Sequence, residues 1–200
     1  MLDWITNKNK SYPEFWKTYL SKFETKPVTK RFVILTTEKS GLNITKDVIF
    51  SIGAIAVVND GIVINDNFDV VLLQYKYLHD NGLSNEFLIE SKQIKLAEPQ
   101  AIQAFVEYIG DAVLVGTKIN FDIDMFNFAL DKLNCGRLKN EALDIEIMYY
   151  KWKETNDKST EIGDLNSLLE YRENDKLSNS EDAYSLALYF LKLKNRLNIK

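Results

Sequence analysis

Three carboxylates stand where chemistry could be done. Glu38 closes a run of β-branched and aromatic residues, Asp122 follows a short apolar run where a helical pattern starts, and Asp182 heads the last helical pattern of the chain. Far apart in sequence, they can converge at one end of a sheet, which is where open α/β folds bind ligands. Each also has a plain structural reading. Asp is a favoured helix N-cap, which suits Asp122 and Asp182 taken singly, and Glu38 alone can be a solvated strand end. Asp144 and Glu146 follow another short apolar stretch, where they border the site or lie on the surface. The single histidine, His79, reads as a loop or surface residue without a role. Cys135, beside Gly136, reads as a small buried filler because no histidine near it in sequence could activate a thiol.

The composition restricts what these carboxylates can serve. With 200 residues, 46% of them hydrophobic, the chain is long enough for one sizeable core and is not a disordered segment. Its 25 Lys and Arg against 29 Asp and Glu give a net charge of −4, which argues against a basic module that coats phosphates. An enzyme that meets nucleic acid through metal ions remains compatible with that charge. One cysteine excludes an internal disulfide and any multi-cysteine zinc cluster, so a reducing compartment is the simplest setting. Met1 to Lys10 are too polar for a secretory signal, and Ile52 to Val58 is far too short to span a bilayer. The expectation is a cytoplasmic protein without membrane attachment.

The elements that must position the carboxylates follow from periodicity. Trp16, Tyr19, Leu20 and Phe23 recur at helical spacing behind Ser11 and Pro13, which predicts an N-terminal helix. Phe32 to Leu35, Val48 to Val58 and Ile62 to Leu73 read as three antiparallel strands, the last two joined by a turn at Asn59-Asp60-Gly61. Gln74 to Ala97 reads as an irregular connection with one short helix. A helix from Pro99 to Gly110, a strand over Ala112 to Val115 and a helix from Asp122 to near Gly136 follow. Leu143 to Ile145 is a fifth strand entering a helix through Tyr150; Lys151 to Gly163 is polar, Asp164 to Tyr171 is a short helix, and Asp182 opens the last one. The sum is an α/β fold with a mixed five-stranded sheet flanked by helices. Residues 1–30 are expected as a helical extension and residues 31–200 as the main domain.

The segments around the carboxylates resemble known motifs. Phe32-Val33-Ile34-Leu35-Thr36-Thr37-Glu38-Lys39-Ser40-Gly41-Leu42-Asn43, with Ile49 to Val57 behind it, resembles the first motif of the DnaQ-like (DEDD) 3′-5′ exonucleases, the proofreading-subunit family. Leu114-Val115-Gly116-Thr117-Lys118-Ile119-Asn120-Phe121-Asp122 resembles the second motif, and Asp182-Ala183-Tyr184 the third, in the family's order over Arg31 to Leu197. The resemblance implies a ribonuclease-H-like fold in which carboxylates hold two Mg²⁺ or Mn²⁺ ions that activate a water and stabilise the leaving oxygen. It further implies Glu38, Asp122 and Asp182 as metal and catalytic positions. Gly41, Leu42, Asn120 and Phe121 would form the substrate surface for single-stranded DNA or RNA.

Two departures bear on activity. The family's first strand ends Asp-x-Glu, with both carboxylates on one strand face; here it ends Thr36-Thr37-Glu38. The family also places a histidine five residues, or in a sister branch a tyrosine four residues, before the last aspartate, to help deprotonate the water. Leu177 and Ser178 occupy those positions. A general base contributes about 10²–10⁴-fold in rate, so the expectation is an impaired exonuclease that keeps a nucleic-acid or nucleotide groove. The alternatives are a weak metal-dependent exonuclease and a protein-docking scaffold without a nucleic-acid role. Lys39 and Lys118, beside the first two motifs, are candidates to neutralise the carboxylates in place of a metal.

Overall fold

The computed structural model describes residues 11–25, 27–74, 93–155 and 179–199. In chain order these form α1 (Glu14–Ser21), β1 (Arg31–Lys39), β2 (Ile49–Val58), β3 (Gly61–Leu73), β4 (Ile94–Ala97), α2 (Glu98–Ile109), β5 (Val113–Gly116), α3 (Ile119–Lys132), β6 (Ala142–Asp144), α4 (Ile145–Thr155) and α5 (Asn179–Arg196). The strands make one six-stranded sheet in the order β4-β3-β2-β1-β5-β6. β1 to β3 are an antiparallel meander, while β4, β5 and β6 each join a neighbour in parallel. Asn59 and Asp60 turn β2 into β3 with φ of 49° and 61°, the left-handed conformation that a two-residue hairpin loop requires.

Central strand β1 explains the layering. Its alternate residues face opposite sides of the sheet. Val33 and Leu35 join the core under α1, α2 and α3, and Phe32 and Ile34 join the core under α4 and α5. With both faces covered, the strand has no reason to alternate polar with apolar, hence the unbroken run in the sequence.

Four expectations are corrected. The sheet has six strands rather than five, because Ile94–Ala97, read as part of an irregular connection, pairs in parallel with Val70 to Leu73. Four residues interrupted by Lys95 carry too little period to announce a strand. α4 continues through Thr155, past the expected stop at Tyr150, since buried Trp152 and Tyr149 give its second half an apolar face. α3 begins at Ile119, ahead of Asp122, and α5 begins at Asn179, ahead of Asp182. Both aspartates therefore sit inside a first helical turn and not at the N-cap. The predicted helix at Asp164 to Tyr171, and the positions of His79 and Leu177, lie outside the described residues.

The N-terminal helix is docked by a polar staple as well as by its rings. The Tyr19 hydroxyl donates to Asn140 Oδ1 at 2.7 Å and accepts from the Lys139 amide at 2.7 Å. Asn140 in turn donates to the carbonyls of Gly110 and Ala112. Burial pushes the Tyr19 phenol up to about 12. Unfolded tyrosine ionises near its ordinary value of 10.0, so the stability tied to this phenol is full below that pH and is lost as pH rises toward 12. Urea titrations between pH 9 and 12 should show a steeper loss for the natural chain than for Tyr19→Phe. Parallel curves would count against the linkage. No helix among the described residues is long and apolar enough to cross a membrane.

Candidate functional site at the C-terminal end of β1

The end of β1 meets the start of α3 because β5, the parallel neighbour of β1, leads into α3 through only two residues, Thr117 and Lys118. A Cβ on Gly116 would lie 3.0 Å from the Leu35 carbonyl oxygen and 3.1 Å from Ile119 Cδ1, so only glycine lets β5 close this far onto β1. Lys118, with φ 52° and ψ 36°, then turns the chain into α3 in the left-handed conformation. Asp144, at the end of β6, accepts from the Ile119 amide through Oδ2 and from the Glu146 and Ile147 amides through Oδ1. One carboxylate thus caps both α3 and α4. The sequence offered its signal, an aspartate between a short strand and a helix, but gave no sign that it would serve two helices.

Asp122, only 3% exposed, is among the few buried charged side chains of the described residues. Such a charge requires a partner. Lys39 Nζ supplies one, at 2.5 Å from Asp122 Oδ1. The same ammonium donates to Thr37 Oγ1 at 2.7 Å, and Thr37 Oγ1 donates to Asp122 Oδ1 at 3.0 Å, closing a three-membered network. The Phe121 ring centroid lies 5.5 Å from Lys39 Nζ, within cation–π range. The sequence gives Thr37 no role beyond the spacer between Thr36 and Glu38, because only the fold brings Asp122 to its hydroxyl.

Glu38 belongs to the other face of the sheet. Strand alternation places Thr36 and Glu38 with Phe32 and Ile34, on the side that α5 covers, and Thr37 and Lys39 with Val33 and Leu35, on the side of α3. Glu38 Oε2 accepts from Ser51 Oγ at 2.8 Å, across the strand pair in which the two residues lie opposite each other. Thr36 is 4% exposed and donates to the Gly53 carbonyl at 3.3 Å. Asp182 lies half-buried in the first turn of α5.

The remaining predicted positions surround this end of the sheet. Gly41 and Leu42 lie in the loop after β1, which is held by one carboxylate: Asp47 accepts from Ser40 Oγ at 2.8 Å and from the Asn43 amide at 2.7 Å. A Cβ on Gly41 would come within 2.6 Å of Asp47 Oδ2, so glycine leaves room for that carboxylate. Leu42, within this hydrogen-bonded loop, is 77% exposed. Asn120 is exposed and Phe121 half-buried in the first turn of α3, with Lys118 exposed just before them.

No family model matches the chain. Exonuclease I from Methylocaldum szegediense superposes with a TM-score of 0.61 at 12% identity, over 85% of this chain and 41% of that one. An ExoI/SSB-Ct complex gives 0.59 at 12% identity, over 84% and 42%. The zinc-bound E. coli ExoI–ssDNA complex gives 0.57 at 11% identity, over 85% and 41%. The chain has the DnaQ-like exonuclease fold. The PolC-type DNA polymerase III of Halalkalibacterium halodurans is 27% identical over 118 residues, which are 56% of this chain and 8% of that protein. The chain thus spans about two-fifths of the solved exonucleases and a small part of the polymerase.

Among the described residues, the paired divalent cations that the DnaQ-like resemblance implies find no matching donor set. Thr36 offers a neutral hydroxyl already bonded to Gly53, and Asp122 is neutralised by Lys39. Glu38 is engaged by Ser51 on the opposite sheet face. Among the described residues, no group of three or more His, Cys, Asp or Glu side chains is placed to hold a metal ion.

Proposed function

We propose that this chain binds single-stranded DNA or RNA at the C-terminal end of β1 and is impaired in 3′-5′ hydrolysis. The observation that carries the reading is Thr36. A buried hydroxyl tied to the Gly53 carbonyl stands where the DnaQ-like resemblance calls for an anionic carboxylate. Hard divalent cations bind carboxylate oxygens far better than a neutral hydroxyl, so loss of that ligand weakens hydrolysis more than it weakens binding. Support for binding comes from the surface beside it: Leu42, Phe121 and Lys118 offer an apolar wedge, an aromatic ring and a cation, the combination that holds single strands through bases and phosphates. One solved structure of this fold holds ssDNA and a second holds SSB-Ct, so a protein partner is a further part of the proposal. The cytoplasm is its proposed setting.

An end-labelled single-stranded oligonucleotide, incubated with the purified chain and Mn²⁺, tests both halves. The expected result is retention without shortening, and a loss of affinity of about tenfold in Phe121→Ala, since one stacked base contributes about 1–3 kcal/mol. Shortening that Asp122→Ala abolishes would show a working exonuclease and remove the impairment. Absence of retention would remove the binding half.

A further inference from the structure

We infer that Lys39 is a built-in counter-cation that occupies, at Asp122, the place of a divalent ion, and so makes nucleic-acid binding by this chain independent of metal. The inference rests on the reading that this end of the sheet takes a single strand.

The ammonium is held on three sides. Asp122 Oδ1 lies at 2.5 Å, Thr37 Oγ1 at 2.7 Å, and the Phe121 ring at 5.5 Å from its centroid. The Lys39 side chain is only 20% exposed, so this is a seated group and not a surface lysine sampling solvent. Thr37 completes the seat by accepting from Lys39 and donating to Asp122 with its one proton. A divalent ion arriving at Asp122 would have to displace this ammonium or lie against it, and like charges at that spacing repel strongly outside bulk water. An ammonium also carries no exchangeable water whose ionisation it could promote, unlike a metal with an open coordination position. The substitution therefore keeps the charge balance that lets Asp122 stay buried and gives up the chemistry.

Mn²⁺ titration followed by electron paramagnetic resonance, without nucleic acid, tests the inference on the full chain. Lys39→Met removes the ammonium, and Lys39→Gln removes its charge while keeping donors for Asp122 and Thr37, which covers the case that the first variant folds poorly. Both should bind Mn²⁺ at least tenfold more tightly than the natural chain. Adding Asp122→Asn to either should abolish the gain. Equal Mn²⁺ affinity in the natural chain and in the folded variants overturns the inference, as does a gain that survives Asp122→Asn. Oligonucleotide retention in EDTA is measured in parallel. Retention there agrees with the inference, and retention only when Mn²⁺ is supplied overturns it while leaving the proposed function standing. If no oligonucleotide is held with or without Mn²⁺, the proposed function falls and the Mn²⁺ affinities still judge the role of Lys39.

Discussion

Lys39→Met should destabilise the fold by about 3–5 kcal/mol, the usual result of removing one partner of a buried ion pair. The cost arises from what remains: Asp122, 3% exposed, would lose the cation that balances its buried charge. Lys39→Met combined with Asp122→Asn should recover most of the loss, because an uncharged amide can be buried at far lower cost than a carboxylate. Urea denaturation of the natural chain, the single variant and the double variant provides the measurement. If the double variant is no more stable than the single one, the pair is not what holds Asp122 in place. The recovery distinguishes electrostatics from packing, since a lost lysine stem would be missed equally in both variants.

Trp16→Ala should be of similar size, about 3–5 kcal/mol, through loss of buried aromatic area and the cavity left behind. Trp16 is 1% exposed, its ring centroid lies 4.7 Å from that of Tyr19, and its edge packs 3.4 Å from where a Cβ on Gly136 would sit. Tyr19 is hydrogen-bonded to Asn140, which holds the carbonyls before β5, so the damage should spread from α1 to the loop that leads into that strand. Hydrogen exchange should show amides of α1 and of the Gly110–Ala112 turn opening together. Protection that persists at that turn while α1 opens would limit the role of the helix to its own packing. Through Trp16 and Tyr19 the helix shares its core with β1, α2 and α3.

Much of this was legible in residue order. The unbroken apolar run of β1, the Asn59-Asp60 turn and the helical stripes of α2 and α3 carry local signals, because each depends on side chains a few residues apart. β4 did not, since its partner Val70 to Leu73 lies across a long connection and its own four residues are too few to establish a period. The extension of α4 to Thr155 was hidden for a related reason: Trp152 is a core residue only once α5 lies against it.

At the site the division is sharper. From order and residue type came the three carboxylates and Lys39 directly after Glu38, and from the DnaQ-like resemblance the missing acid at Thr36, because covalent sequence fixes which charges exist and in what succession. Which of them touch was a tertiary matter. Sheet parity sent Glu38 to the α5 face and Lys39 to the α3 face, and close packing at Gly116 brought Asp122, from a helix many residues later, onto the lysine rather than the glutamate. Electrostatic attraction falls off with distance in space and takes no account of distance along the chain, so the pairing of Lys39 with Asp122 existed only after the sheet had closed.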